Sequence, residues 1–135
     1  MAVIGIDVGT IRVGVAIADP AVRIPFPVAT WPRAAYEAEK SILRLIDERS
    51  ATILVVGIPL NERGERTDIC DMVEAFVRRI AKRATIAIEY IDEAFSSAEA
   101  QEMLRQGNKG AETIDAYAAC VILNRYFERH TPKNQ

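Results

Sequence analysis

The stretch that most constrains this chain is residues 4–19, IGIDVGTIRVGVAIAD. Ile4, Ile6 and Val8 alternate with Gly5, Asp7 and Gly9, the period of a strand with one apolar face. Asp7 therefore points away from the face that carries Ile6 and Val8. Gly9 to Arg12 has turn composition. Val13, Val15 and Ile17 then alternate with Gly14, Ala16 and Ala18, which predicts a second strand. A short turn between two such strands predicts an antiparallel hairpin. The reading places one carboxylate late on a first, central strand, beside a turn that can meet a metal ion or a phosphate. A buried aspartate that merely caps a turn explains the same residues.

Two superfamilies carry a pattern similar to Asp7-x-Gly9-Thr10 followed by Gly14. In the sugar kinase, actin and Hsp70 group the turn cradles ATP phosphates. In the RNase H-like nucleases the aspartate binds metal. An actin-type kinase needs two such domains around a cleft, and 135 residues provide for one. The division expected is a single domain over residues 1–130 and a disordered tail over 131–135.

Lys and Arg number 17 against 19 Asp and Glu. That balance disfavours a tight, nonspecific nucleic-acid binder while leaving room for a local basic patch. No run is apolar enough to span a membrane and no leader pattern opens the chain, so a cytoplasmic location is expected. Cys70 and Cys120 are far apart and stand in no Cys/His cluster, and His130 is the only histidine. A zinc site, a disulfide framework and a histidine-based triad are therefore disfavoured.

Along the chain, 22–30 reads as a strand that Pro25 and Pro27 confine to an edge. Residues 34–48 repeat apolar positions at helical spacing. The apolar run 52–58 reads as a strand buried on both faces. The polar loop 59–68 follows it, at the strand end where open α/β sheets place ligands. Arg63 and Arg66 fit phosphates there, or equally a solvated loop. A helix over 69–80 ends in Arg78, Arg79, Lys82 and Arg83, which complement its negative end or touch nucleic acid. A strand over 85–91, a short helix to Gln106 and a final helix over 113–129 complete the chain. The fold class is α/β, three antiparallel strands followed by two parallel ones reached through helical crossovers.

In this order Asp7 and Glu93 approach one end of the sheet, and the last helix brings Asp115 to them. Three carboxylates without histidine suit hard cations, Mg2+ or Mn2+. Two such ions about 4 Å apart would clamp an in-line attack on a phosphodiester. Each acid also has a plainer reading. Asp115 suits a helix N-terminus, and Glu93 could pair with a surface arginine.

Four stretches in order resemble the motifs of the YqgF (RuvX) family, Holliday-junction-resolvase-like members of the RNase H-like group. They are GIDVGTIRVGVAIAD at 5–19, VGIPLN at 56–61 with Gly64, IDEAFSSAE at 91–99 and IDAYAACVILNRYF at 114–127. The resemblance implies a mixed five-stranded sheet with helices on both faces and a metal-dependent nuclease. It implies a nucleic-acid substrate, either the 5′ end of a 16S rRNA precursor or branched DNA, and paired cuts on DNA would require a homodimer. Carried over by position, the catalytic and metal-holding acids are Asp7, Glu93 and Asp115. Thr10, Arg12, Asn61, Arg63 and Lys109 are the expected substrate contacts. The family usually has arginine where Ala94 stands and often a basic residue where Ile11 stands. The loss of two charges weakens phosphate contacts unless Arg12, Arg63 or Lys109 compensates.

Overall fold

A computed structural model describes residues 1–92 and 114–130. Five strands form one sheet: β1 (Ala2–Val8), β2 (Arg12–Ala18), β3 (Phe26–Pro32), β4 (Ala51–Ile58) and β5 (Ala87–Asp92). Their order is β3-β2-β1-β4-β5, with β1 central. β1–β2 and β2–β3 are antiparallel, whereas β1–β4 and β4–β5 are parallel. The helices are α1 (Glu37–Arg49), α2 (Asp68–Ala81) and α3 (Ile114–Arg129). The sheet is the mixed one expected from the sequence.

The alternation in β1 sorts two cores. Ile4, Ile6 and Val8, with Val13 and Val15, pack beneath α1 and α2. Val3, Ala16, Ala18 and Val55 pack beneath α3. Leu54, Val55 and Val56 are all buried, because β4 is covered on both sides. The parity that puts Val3 under α3 also puts Gly5 and Asp7 on that face.

Two glycines set how close α3 comes. A Cβ on Gly5 would lie 2.6 Å from Leu123 Cγ and 3.0 Å from the Ala119 carbonyl oxygen. A Cβ on Gly14 would overlap the backbone carbonyl of Asp115. The helix therefore rests its first turn on β2 and its middle on β1. Farther along, Arg125 Nη1 donates to the Asp92 carbonyl at 3.0 Å and ties α3 to the end of β5.

Several boundaries differ from those read in the sequence. The edge strand starts at Phe26, because the turn after β2 runs on to Arg23. Ala21 N–H donates to Asp19 Oδ1 at 2.7 Å, Arg23 N–H donates to the Asp19 carbonyl, and Arg23 has φ 64°. The β2–β3 register slips between Val15 and Ala16, so that Pro27, which has no N–H, sits opposite Ala16. The helix expected from residue 34 opens as a single 3-10 turn, Ala34–Tyr36, broken by left-handed Ala35 and Tyr36. The break follows Arg33, whose N–H donates to the Ile11 carbonyl at 2.9 Å and fixes the chain to the hairpin turn.

Cys70 and Cys120 are both free and buried. Burial pushes the Cys120 thiol up to about 12, so it stays protonated. Among the described residues no helix is long and apolar enough to cross a membrane. Glu93, Ala94, Lys109, the expected helix up to Gln106 and the tail 131–135 lie outside the described residues.

Candidate active site

The site is built on the end of β1. Asp7 is half-buried, on the α3 face, and stands directly opposite Gly14 of β2. On its other side Ile6 pairs with Val56, so the next residue of β4 alongside Asp7 is Gly57. Asp7 thus stands between two residues that have no side chain. Residues opposed across an antiparallel pair have Cβ positions about 5 Å apart. Since the Asp115 backbone sits on the Cβ position of Gly14, Asp115 enters the sheet as the neighbour of Asp7. The pairing comes from contact between a glycine and a helix terminus 101 positions apart in the sequence.

Asp115 also occupies the first turn of α3, where the dipole favours an acid. Its Oδ2 accepts from Arg12 Nε at 2.6 Å, and the two side chains are 26% and 49% exposed. Arg12 begins β2 and shares the face of Gly14. The pair is open to solvent, so its net stabilisation is small. Its local effect is to hold a positive charge against Asp115.

β5 ends at the same edge. Ile6 pairs with Val56, and Val56 with Tyr90, so Asp92 lies one residue beyond the level of Asp7. Two strand spacings, roughly 10 Å, separate them. Among the described residues no group of three or more metal-ligating side chains forms, and Glu93 lies outside them. The described pair fits Mg2+ or Mn2+ by the chemistry of its donors: two hard carboxylates and no histidine or thiolate. Mg2+ is characteristically held by one or two carboxylates together with substrate phosphates.

The expected substrate contacts are placed as follows. Thr10 is exposed at the tip of the hairpin, whose Gly9 N–H donates to the Arg12 carbonyl at 2.9 Å. Asn61 organises its own loop: Oδ1 accepts from the N–H groups of Arg63 and Glu65, each at 2.9 Å, and Nδ2 donates to Glu65 Oε1 at 3.1 Å. Gly64, with φ 75°, closes this turn. Arg63 is exposed in it. Arg66 instead forks onto α2, donating at 2.8 Å to both Asp71 and Glu74. Those bonds raise the Arg66 pKa and hold the Glu74 carboxyl below its usual range.

Arg33 is a residue whose place at the site the sequence reading missed. Its Nη1 donates to the Gly9 carbonyl at 3.3 Å and lies 2.9 Å from Met72 Sδ. Its guanidinium sits 5.3 Å from the centre of the Phe76 ring. It props the hairpin turn from the α2 side. Its position right after Trp31-Pro32, where the edge strand ends, was the available signal.

A family model described as RuvX, Holliday junction resolvase, matches residues 1–129. The chain belongs to this family. A protein from Chloroflexus aggregans named "Putative pre-16S rRNA nuclease" is 40% identical over 93% of this chain and 92% of its own length. A protein of the same name from Synechocystis is 34% identical over 95% and 88%. Among solved structures, Thermus thermophilus RuvC in complex with a Holliday junction superposes with TM-score 0.63 at 14% identity, over 98% of both chains. The fowlpox virus resolvase bound to Holliday junction DNA gives 0.61 at 12%, over 98% of this chain and 100% of its own. At such identities these two show the fold, which this RuvX-family chain shares with RuvC across its whole sheet.

Proposed function

We propose that this chain is a metal-dependent endonuclease that hydrolyses phosphodiester bonds in structured RNA. The substrate class is the 5′ region of a 16S rRNA precursor, and the setting is ribosome biogenesis in the cytoplasm. One observation supports this above others: Gly14 lets the start of α3 rest on the sheet, so that Asp115 stands beside Asp7 at the end of the central strand. The names of the relatives support the substrate class.

Asp7 and Asp115, with Glu93, are the acids that would hold Mg2+ or Mn2+. A divalent cation bound there supplies an activated water and a positive charge for the leaving oxygen. The residues of the chain do the rest. Thr10 offers a hydroxyl to a phosphate at the rim. Arg12, half exposed, exchanges Asp115 for a phosphate oxygen when substrate arrives. Arg63 and Lys109 add charge along the path, and Asn61 shapes the loop that carries Arg63.

The test is cleavage of an end-labelled precursor fragment spanning the mature 5′ end. Cleavage in Mg2+ or Mn2+ and none in EDTA is expected. Equal cleavage with and without the chelator would end the metal mechanism. A synthetic four-way DNA junction belongs in the same assay, because the family model carries the resolvase description. Symmetric paired cuts by a homodimer would favour that second reading. Binding of RNA without cleavage in any metal would favour a non-catalytic member.

Arg12 yields a prediction of two opposite signs. In Arg12→Ala, Asp115 loses its competing cation, so Mn2+ titrated without substrate should bind up to about fivefold tighter. The same change removes a phosphate contact, so KM for RNA should rise several-fold. Weaker Mn2+ binding in the variant would mean that Arg12 orients Asp115 for metal instead of competing with it.

A further inference from the structure

The opposite face of the sheet holds a second site. A depression of about 310 Å3 lies between α1 and α2. Glu39 is its buried member, 5% exposed and the one buried charged residue among those described. Glu39 Oε2 accepts from Arg79 Nε at 2.9 Å, while Oε1 is buried with no hydrogen-bond partner. A buried carboxylate oxygen left bare is costly, and it keeps the capacity to accept one more hydrogen bond.

The remaining walls say what kind of molecule carries a donor for it. Lys40, Lys82 and Arg83 join Arg79 in the lining. Four cations thus face one carboxylate, in a chain whose net charge is negative, and such a cluster recognises phosphate. Tyr36 stands at the rim with its side chain largely exposed and its backbone held left-handed at φ 59°. The Arg79 guanidinium lies 6.0 Å from the centre of its ring, and Leu43 adds an apolar wall. A flat aromatic surface, a phosphate-binding cluster and one acceptor for a ring or exocyclic N–H fit a single chemical class.

We propose that the pocket between α1 and α2 binds one phosphorylated nucleoside, with its base on Tyr36, an N–H of the base on Glu39 and its phosphate among Lys40, Lys82 and Arg83. The nucleotide comes either free from solution or as one unit of an RNA strand. A neighbouring depression of about 490 Å3 shares Leu43 and Arg83 with the pocket and gives a strand room to continue. The site lies across the sheet from Asp7 and Asp115, so it does not depend on the nuclease reading. Binding measured in EDTA keeps the two apart.

The experiment is calorimetric titration of the full chain in EDTA at low salt. The probes are cytidine and guanosine 5′-monophosphate, inorganic phosphate and an eight-nucleotide single-stranded RNA. At least one nucleotide should bind about tenfold or more tighter than inorganic phosphate. The double variant Lys82→Gln/Arg83→Gln removes two charges past the end of α2 without adding acids there, so it should melt within a few degrees of the parent and bind every probe about tenfold more weakly. Tyr36→Ala should weaken nucleotides about tenfold and leave phosphate unchanged. RNA binding about tenfold tighter than the mononucleotides identifies the strand as the source, and equal or weaker binding identifies the free nucleotide. The proposal is overturned if phosphate matches the nucleotides, if no probe binds at millimolar concentration, or if RNA binding ignores Tyr36→Ala and follows net charge alone.

Discussion

Asp7→Asn is expected to lower cleavage by about 10^3-fold while leaving the fold intact. The size follows from the role proposed for the residue. Partners that merely support a metal ligand cost 10- to 100-fold when lost, so loss of a ligand carboxylate itself should cost more, about 4 kcal/mol of transition-state stabilisation. The stability half of the prediction has a separate cause. Asparagine keeps the shape of the side chain between Gly14 and Gly57, and it removes one negative charge from the neighbourhood of Asp115. Gathered carboxylates repel when no cation lies between them. The apparent melting temperature in EDTA should therefore be unchanged or slightly higher. In Mn2+ the parent should gain stability that the variant does not, because ligand binding to the native state stabilises it in proportion to occupancy. Full activity in Asp7→Asn would remove the residue from the mechanism. A large drop in melting temperature would mean that its role is structural, as the turn-capping reading holds.

Much of the fold was legible because it rests on short-range patterns. The alternation of Ile4, Ile6 and Val8 with Gly5 and Asp7 fixed which face the acid takes, and the structure places Val3, Gly5 and Asp7 together on the α3 side. The apolar run in β4 is buried on both faces, and the prolines keep β3 at the edge. What escaped depends on partners distant in sequence. Gly14 reads as one small residue in the alternation of the second strand, and nothing near it reveals that α3 rests there. Arg12 reads as a substrate contact, and its bond to Asp115 is hidden because the partner lies 103 positions away. Asn61 reads as a substrate contact, and the sequence does not show that its amide also closes its own loop. Glu39 reads as the solvated face of an amphipathic helix. It is buried because Arg79, from another helix, comes to meet it. Ala35 and Tyr36 interrupt a helical period with no glycine or asparagine to announce the left-handed turn.

The same geometry leaves Gly14 no room for a methyl group. In Gly14→Ala the new Cβ would overlap the carbonyl of Asp115, and the obstacle is backbone at a helix start, with no flexible side-chain end to give way. Either β2 or the first turn of α3 must move by an ångström or more. Overpacking of this kind costs about 1–3 kcal/mol, which for a chain of this size lowers the melting temperature by roughly 5–10 °C. The catalytic effect should be larger than the loss of stability implies. Moving a reacting group by about 1 Å can cost 10^2-fold in rate, and the group displaced is Asp115 together with its bond to Arg12. Gly5→Ala is the discriminating control. Its Cβ would press on Cγ of the buried Leu123 at 2.6 Å and lie tight against the Ala119 carbonyl at 3.0 Å, both in the middle of α3. That variant should lose comparable or less stability and keep most of its activity, because the strain falls in the middle of α3 and not at Asp115. The pair of variants therefore separates a loosened core from a displaced carboxylate. If both lose activity in proportion to their stability, the seat at Gly14 has no special tie to catalysis. If Gly14→Ala alone loses activity at a temperature where both are folded, the contact between one glycine and one helix start is what brings the second acid to the first.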